Sequence, residues 1–271
     1  MKKFIISIDQ GTTSSRAILF NLKGKPVYSS QKEFTQYFPN SGWVEHDPEE
    51  IWSTTKKVLK DVIIKAKKIK GEILTIGITN QRETTVLWDK KTGKAVYNAI
   101  VWQDRRQEVF CEKLRRQNKE TLIFNRTGLL IDSYFSGIKI KWILDNVPKA
   151  KSLMSKKQLL FGTIDSFLIW RFTKGKVHAT DATNASRTMI YNISLNKWDD
   201  KILNLLKIKK HILPEVKDSA ADYGSTHPSI TGKSISISGV VGDQQSAAIG
   251  QCCFEPGSLK STYGTGAFVL L

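Results

Sequence analysis

Apolar runs separated by short polar turns fill the first forty residues of the chain. The runs at 4–9, 17–21 and 26–34 are joined by QGTTSSR and LKGK. Runs of this length between glycine-containing turns are typical of β-strands. We therefore predict that the chain begins with a meander of three antiparallel strands.

The segment after this meander carries the signals of a helix start. Asp47 is a candidate cap, Pro48 would occupy the first helical position, and two glutamates follow in the first turn. Apolar residues then recur at helical spacing as far as residue 68, and Gly71 is the predicted stop. The run ILTIGITN at 73–80 predicts a buried strand.

Strand and helix patterns alternate through the rest of the chain. Strand-like runs at 84–89 and 95–104 predict a hairpin around KKTGK, and a helix is predicted over 104–117. The remaining patterns are helices near 136–146, 148–158 and 163–172, a polar stretch at 180–187, and a buried strand, Gly-Asp turn and small-residue helix within 234–250. This alternation predicts an α/β domain with a mixed sheet.

Length and charge set limits on these predictions. With 271 residues, of which 40% are hydrophobic, the chain can bury one large core or two small ones. The net charge of +17 raises nucleic acid or a membrane surface as a partner. The lysines at 56–70, however, alternate with apolar residues at helical spacing and have no aromatic residues among them. This pattern is typical of a solvated helix face, so nucleic-acid binding is not expected.

The cysteines and the N-terminus indicate the compartment. Cys111, Cys252 and Cys253 give an odd count without CxxC spacing, which favours neither a disulfide framework nor a zinc site and fits a reducing cytoplasm. The first apolar run is interrupted by Ser7 and Asp9, and no run of about 18 apolar residues occurs. We expect a protein that is neither exported nor membrane-spanning.

The turn between the first two predicted strands could hold a phosphate group. Gly11 would let the backbone approach the phosphate, Arg16 would add positive charge, and Asp9 could hold a divalent cation through water. Hydroxyl donors in the same turn are Thr12, Thr13 and Ser14. An ordinary polar hairpin explains the composition equally well, and no Walker loop occurs in the chain.

Two further segments place polar or aromatic side chains beside predicted strands. Arg82 and Glu83 follow the strand at 73–80, at the edge where open α/β sheets bind ligands, and could hydrogen-bond neighbouring hydroxyls of a polyol. From this segment alone, a surface ion pair is the favoured alternative. Trp102 could form an apolar wall for a carbon skeleton or belong to the core.

A candidate general base lies in GDQQ at 242–245. Asp243 would stand near a helix N-terminus after a buried strand, where a carboxylate can take a proton from an attacking hydroxyl. An N-cap aspartate is the alternative interpretation. The four histidines are scattered, which gives little support to a His-based metal or catalytic site.

The two ends of the chain share a weak internal similarity. IDQGTTSSRA and TYGTGAFVLL both place Gly-Thr directly after a predicted strand and before apolar residues. The second copy stops at Leu271, inside the predicted strand pair. Because an unpaired edge strand is an aggregation liability, we expect the chain to be an N-terminal fragment, either an incomplete gene product or a trimmed piece of a longer protein.

Several segments, in this order, resemble the FGGY family of carbohydrate kinases. They are IDQGTTSSRA, GITNQRET, WQDRR, TGLLIDSYFSGIKIKWILDN, GTIDSFLIW, TDATNASRT, GVVGDQQSAA and TYGTG. The most specific is YFSGIKIKWILDN at 134–146, which matches the first family signature position by position. The resemblance covers essentially the whole chain and is greatest to the members that act on glycerol.

The resemblance implies a ribonuclease-H-like fold of the actin, Hsp70 and sugar-kinase type, with two domains that close over ATP and substrate. Residues 1–252 would form the N-terminal domain and 253–271 the start of the C-terminal domain. The implied reaction transfers the ATP γ-phosphoryl group to the 3-hydroxyl of glycerol with Mg²⁺ as cofactor. Members often form homo-oligomers, and residues 1–271 alone are expected to release no ADP.

The resemblance also implies the roles of particular residues. Glycerol contacts are implied for Arg82, Glu83, Tyr134, Asp243 and Gln244, and apolar walls for Trp102 and Phe268. Asp243 would be the catalytic base. Contacts with nucleotide phosphates are implied for Thr12, Thr13, Ser14, Arg16, Thr265 and Gly266. Asp9 would lie near the magnesium ion.

Two other functions stay open at this point. One is a kinase for a different polyol or sugar, such as xylulose or gluconate. The other is a non-catalytic interaction module of actin-like fold, whose lysine-rich surface binds an acidic partner. The complete set of implied polyol contacts argues against the second.

Overall fold

The computed structural model describes residues 2–264 and 266–271. Its first elements are β1 (Lys2–Gln10), β2 (Ser14–Asn21), β3 (Pro26–Glu33), β4 (Glu45–His46), α1 (Pro48–Lys68), β5 (Gly71–Asn80), β6 (Val86–Asp89), β7 (Ala99–Ile100), α2 (Glu108–Arg116), α3 (Glu120–Thr127), α4 (Ser136–Asn146) and α5 (Pro148–Ser155). These are followed by β8 (Leu159–Gly162), α6 (Ile164–Phe172), β9 (Ala179–Asp181), α7 (Ala182–Ala185), β10 (Tyr191–Asn192), β11 (Lys197–Trp198), α8 (Asp200–Leu206), β12 (Glu215–Lys217), α9 (Pro228–Thr231), β13 (Ser236–Gly242), α10 (Asp243–Gly250), β14 (Lys260–Tyr263) and β15 (Ala267–Leu270).

A five-stranded mixed sheet in the order β13-β5-β1-β2-β3 forms the centre of the fold. The strands β1, β2 and β3 pair antiparallel, which confirms the predicted meander. The strands β1, β5 and β13 are parallel, and their last residues are in register: Gln10 and Gly242 both pair with Asn80. Three strands therefore end together at one edge of the sheet, where open α/β sheets bind ligands.

The helix α1 begins where the sequence predicts. The Asp47 side chain accepts a hydrogen bond from the backbone N–H of Glu49 at 2.8 Å, and Pro48 is the first helical residue. We predicted that Gly71 ends this helix. The helix ends at Lys68 instead, and Gly71 is the first residue of β5. The glycine is needed there because a Cβ atom would lie 2.3 Å from Cε2 of Phe4.

Removing the cap of α1 should destabilise the protein modestly. We expect Asp47→Ala to lower the free energy of unfolding by about 1 kcal/mol, because a backbone donor of the first turn loses its partner. Asp47→Asn retains a capping oxygen and should stay close to the parent in urea unfolding. An equal loss in both variants would contradict a capping role.

The hairpin predicted around 90–94 forms only in part. Residues 95 and 100 touch the preceding segment through isolated bridges, whereas the strand that pairs along the whole of β6 is β8. The reason is burial: Val86, Leu87 and Trp88 are at most 1% exposed, so β6 must be paired on both sides. Trp88 packs edge-on against Phe167 in the core.

The predicted helices in the middle of the chain are confirmed, with small changes at their ends. The helix α4 has the predicted bounds, whereas α5 ends three residues earlier than residue 158. Lys157 there adopts a left-handed conformation with φ 56°. One hydrophobic core packs on the central sheet and a second surrounds α4. In the part of the chain that the structure describes, every helix is too short or too polar to cross a membrane.

Candidate functional site

A small pocket of about 110 Å³ lies at the edge where β1, β5 and β13 end. Its walls are formed by Thr12, Arg82, Glu83, Trp102, Tyr134, Asp243, Gln244, Thr262, Gly264, Gly266 and Phe268. All seven residues predicted to contact the substrate are among them. The structure thus brings together residues that lie up to 186 positions apart in the sequence.

The elements of the fold explain this convergence. Arg82 and Glu83 follow the end of β5, and Asp243 is the first residue of α10, directly after β13. Tyr134 precedes α4, and Phe268 lies on β15. Because the carboxyl ends of parallel strands meet at one sheet edge, the segments after β5 and β13 must face each other.

The Asp243 carboxylate is held from two sides. Its Oδ1 atom accepts hydrogen bonds from the backbone N–H of Gln244 at 2.7 Å and from Nε of Arg82 at 3.1 Å. Burial raises the pKa of Asp243, and the Arg82 guanidinium opposes this shift. The N-cap alternative is wrong, because Gly242 is the cap and Asp243 is helical. A carboxylate with a raised pKa is a better proton acceptor than an ordinary surface aspartate.

Glu83 is buried in a strained backbone conformation. Its φ is 62°, a left-handed value that is costly for a residue with a side chain and is common at functional sites. Its Oε1 atom accepts a hydrogen bond from Nε of Arg187 at 2.8 Å. Burial raises the pKa of Glu83, and the charges of Arg82 and Arg187 act in the opposite direction.

The alternative of a surface ion pair between Arg82 and Glu83 is wrong. The two residues are 6% and 1% exposed, and each is paired with a different partner. Arg82 binds Asp243, which follows in the chain by 161 positions, and Glu83 binds Arg187. Burying two such charges requires these partners, since an unpaired buried charge costs several kcal/mol.

Aromatic rings line another side of the pocket. The centroid of the Trp102 ring lies 5.7 Å from that of Tyr134 and 5.9 Å from that of Phe268. Trp102 is partly exposed and belongs to neither hydrophobic core, so the core alternative is wrong. Its Nε1 atom donates to Oγ1 of Thr12 at 3.0 Å, which connects this wall to the turn after β1.

The predicted phosphate-binding residues divide into two groups. Thr12 and Gly266 line the pocket, whereas Thr13, Ser14 and Arg16 are absent from its described walls. Arg16 instead extends across the β1–β2 pair and binds Oδ2 of Asp9 at 2.5 Å. Thr265 lies outside the described residues.

Three basic residues that were not predicted from the sequence support the pocket. Lys260, on β14, donates to Oε1 of Gln244 at 2.6 Å and is 4% exposed. Arg187 binds Glu83, and Lys139, on α4, donates to the backbone carbonyls of Ser133 and Tyr134. The one local signal is the position of Lys139 between two isoleucines in a largely buried helix, and the sequence gives no comparable signal for Lys260 or Arg187.

Lys139 should make stability depend on pH. Burial lowers the pKa of this amine to about 7, whereas it stays protonated in the unfolded chain up to about pH 10. Between these limits the unfolded chain binds more protons, so stability rises with pH. We expect the free energy of unfolding in urea, taken relative to Lys139→Met, to fall from about pH 10 to about pH 7 and then level off. A difference that is constant over this range would contradict a depressed pKa.

These features define a carbohydrate-kinase domain, and the comparison with known families agrees. The chain belongs to the FGGY family of carbohydrate kinases, because the model of the family's N-terminal domain matches residues 4–250.

The similar proteins identify a branch of this family. The chain is 57% identical over 271 residues to glycerol kinase of Rhizobium meliloti, covering 100% of this chain and 54% of that protein. It is 58% identical over 272 aligned positions to glycerol kinase of Alkaliphilus metalliredigens, again covering 54% of the relative. The chain thus spans about half the length of the curated relatives it matches.

Solved structures confirm the predicted fold class. The structure of Plasmodium falciparum glycerol kinase with ADP matches 99% of this chain and 54% of that one, with a TM-score of 0.94 and 38% identity. A gluconate kinase from Lactobacillus acidophilus matches with a TM-score of 0.88 at 24% identity, which concerns the fold alone. The mixed sheet with its helices is therefore the fold of the sugar kinases of actin and Hsp70 type.

Proposed function

We propose that this chain supplies the polyol-binding side of a glycerol kinase, which transfers the γ-phosphoryl group of ATP to the 3-hydroxyl of glycerol. The observation that carries the proposal is the single pocket that unites the Asp243 carboxylate, the buried pair Arg82 and Glu83, and an aromatic wall. The high identity to glycerol kinases of two bacteria supports it. In the same proposal, residues 1–252 form one domain and 253–271 begin a second.

The chemistry of the pocket suits a short polyol. Glu83 and Asp243 offer acceptors for hydroxyl protons, and Arg82 offers donors for hydroxyl oxygens. Trp102 and Phe268 present ring surfaces to a carbon chain. The high identity of this chain to two glycerol kinases favours glycerol over the substrates of a xylulose or gluconate kinase.

Asp243 is proposed as the general base of this reaction. It would take the proton of the attacking hydroxyl at its Oδ2 atom, because Oδ1 is engaged by Arg82 and by the N–H of Gln244. Burial raises the pKa of this carboxylate, and the charge of Arg82 opposes that shift and favours the ionised form. Positioning and one base suffice for such a step, since phosphoryl transfer passes through a loose transition state.

The donor groups at the sheet edge fit a magnesium ion with ATP. Asp9 offers one partly exposed carboxylate, with 29% of its side chain accessible, and its charge contributes to raising the pKa of Asp243. Mg²⁺ keeps most of its waters and accepts one or two protein carboxylates together with phosphate oxygens. When bound, it would neutralise charge on the transferred group. Thr12, Thr13, Ser14, Arg16, Thr265 and Gly266 are proposed to face the phosphates.

The compartment and assembly belong to the same proposal. The three cysteines are unpaired, which supports a reducing cytoplasm for this protein. A homo-oligomer is compatible with the proposal.

A coupled assay of ADP release would test the proposed function. The protein assayed is the longest product of the gene that contains residues 1–271, which we call the full gene product. The substrates are glycerol, xylulose and gluconate. We expect turnover with glycerol and at least tenfold lower kcat/KM with the other two. Turnover with xylulose or gluconate alone would assign a different substrate, and titration calorimetry without heat for any polyol would favour the interaction module.

The isolated chain 1–271 serves as a second arm of this assay. We expect it to release no ADP in the presence of glycerol. Clear glycerol-dependent turnover by residues 1–271 would contradict this expectation.

A further inference from the structure

The polar stretch that begins at residue 180 forms a hydrogen-bond network around the buried carboxylate of Asp181. Asp181 is fully buried at the end of β9, and both of its carboxylate oxygens are saturated. Oδ1 accepts from the backbone N–H and the side-chain amide of Asn184, each at 2.9 Å. Oδ2 accepts from the Thr183 hydroxyl at 2.6 Å, the Ser219 hydroxyl at 2.8 Å and the Thr183 N–H at 3.1 Å. Five donors on one carboxylate fix its position and that of its partners.

Thr183 connects this network to the start of α10. A hydroxyl group has one proton, and Thr183 gives it to Asp181. Its lone pairs are therefore left to accept, and they receive the backbone N–H of Gly242 at 2.8 Å. Gly242 directly precedes Asp243. The Thr183 hydroxyl therefore fixes the backbone immediately before the proposed base.

A second pair of hydrogen bonds connects the same polar stretch to the end of β5. The side-chain amides of Asn80 and Asn184 exchange two hydrogen bonds, at 3.0 and 3.1 Å, and both residues are fully buried. Asn80 is the last residue of β5, two positions before Arg82. Thr183 and Asn184 thus hold two places in the fold: the start of the helix that carries Asp243, and the end of the strand that Arg82 follows.

The two held segments meet in van der Waals contact. A Cβ atom built on Gly242 would lie 2.6 Å from Cδ of Arg82, so the arginine lies directly on the glycine backbone. A small displacement of Gly242 would therefore shift Arg82 and its 3.1 Å bond to Asp243 together. Tight packing of this kind transmits displacements, because interiors have few voids that could absorb them.

We propose that Asp181 and Thr183 are positioning residues, which fix the Asp243 carboxylate through the backbone N–H of Gly242. This inference rests on the proposed function, in which Asp243 accepts the proton of the attacking hydroxyl. Neither residue lines the described part of the pocket, so they act on the reaction through Gly242 and not through the substrate.

Kinetics of the full gene product with Thr183→Val test this role. Valine keeps the shape of the side chain but cannot accept the Gly242 N–H. We expect kcat to fall about 10- to 100-fold, because a displacement of about 1 Å at a reacting group has an effect of this size. The KM for glycerol should change less than kcat does, since Glu83 and Trp102 are untouched even where Arg82 shifts. Thr183→Ser keeps the hydroxyl and should restore kcat to within about threefold of the parent.

Thr180→Val is the matched control. Thr180 is a buried threonine of the same segment, and its hydroxyl donates to Oδ2 of Asp165 at 2.6 Å. This substitution removes a comparable hydrogen bond without touching Gly242, so kcat should be unchanged even where the melting temperature falls. An equal loss of kcat in both variants would assign Thr183 a structural role only and overturn the proposal.

Crystal structures of the same variants give a readout that does not depend on activity. In Thr183→Val the Asp243 carboxylate should be displaced from its position in the parent, with Arg82 shifting alongside it, and in Thr183→Ser it should stay in place. An unmoved carboxylate overturns the proposal, whether or not the protein phosphorylates glycerol. If the valine variant fails to fold, Asp181→Asn takes its place with the same expected shift, because the amide keeps one accepting oxygen where the carboxylate has two and cannot serve the donors of both Thr183 and Asn184. A parent protein without kinase activity would instead refute the proposed function.

Discussion

Asp243→Asn is expected to reduce the kcat of the full gene product with glycerol by a factor of about 10²–10⁴, the range that a general base contributes. Asparagine has nearly the same shape and can still accept a hydrogen bond from Arg82 through its amide oxygen. It cannot take a proton from the substrate hydroxyl. The expected loss is therefore in the chemical step, and initial rates over a range of glycerol concentrations would measure it.

The KM for glycerol is the companion measurement to this kcat. Most polyol contacts proposed for the pocket come from other residues, so KM should change by less than about fivefold. Asp145→Asn makes the same chemical change on the exposed end of α4, where 54% of the side chain is accessible, and should leave kcat unaltered. A kcat for Asp243→Asn within threefold of the parent would remove Asp243 from the role of base.

Arg106→Met should cause a large loss of stability. The Arg106 guanidinium binds Oε1 of Glu45 at 2.7 Å and Oδ2 of Asp104 at 2.8 Å, and all three side chains are at most 4% exposed. It also lies over the rings of Trp43 and Trp142, at 3.8 and 4.6 Å from their centroids. Without the arginine, two carboxylates are buried with no positive partner. We expect the free energy of unfolding in urea to fall by about 3–5 kcal/mol.

Two further variants separate charge from packing at this site. Arg106→Lys keeps the charge but loses the planar fork and the stacking on Trp43, so it should also be clearly destabilised. Combining Arg106→Met with Glu45→Gln and Asp104→Asn removes the unpaired charges and should recover part of the loss. If the triple variant is no more stable than Arg106→Met alone, packing on the tryptophans, and not charge, dominates.

The elements that follow from local chemistry could be read from the sequence. The meander of β1 to β3, the Asp47 cap of α1 and the bounds of α4 depend on residues that are neighbours in the chain. The family resemblance likewise indicated the seven substrate-contacting residues that line the pocket, because several complete motifs of the family occur in this chain in the family's order. Local patterns are sufficient there, since caps, turns and periodicity act over a few residues.

The partners of the charged groups could not be read in this way. Arg82 and Glu83 looked like one surface ion pair, but the fold buries both and pairs them with residues more than 100 positions away. The β6 strand pairs with β8 and not mainly with the next strand along the chain. The polar stretch at 180–187 likewise gave no sign that it would support the start of α10. In each case the tertiary structure determined the partner. A buried polar group must be hydrogen-bonded, and packing decides which groups lie close enough to bond it.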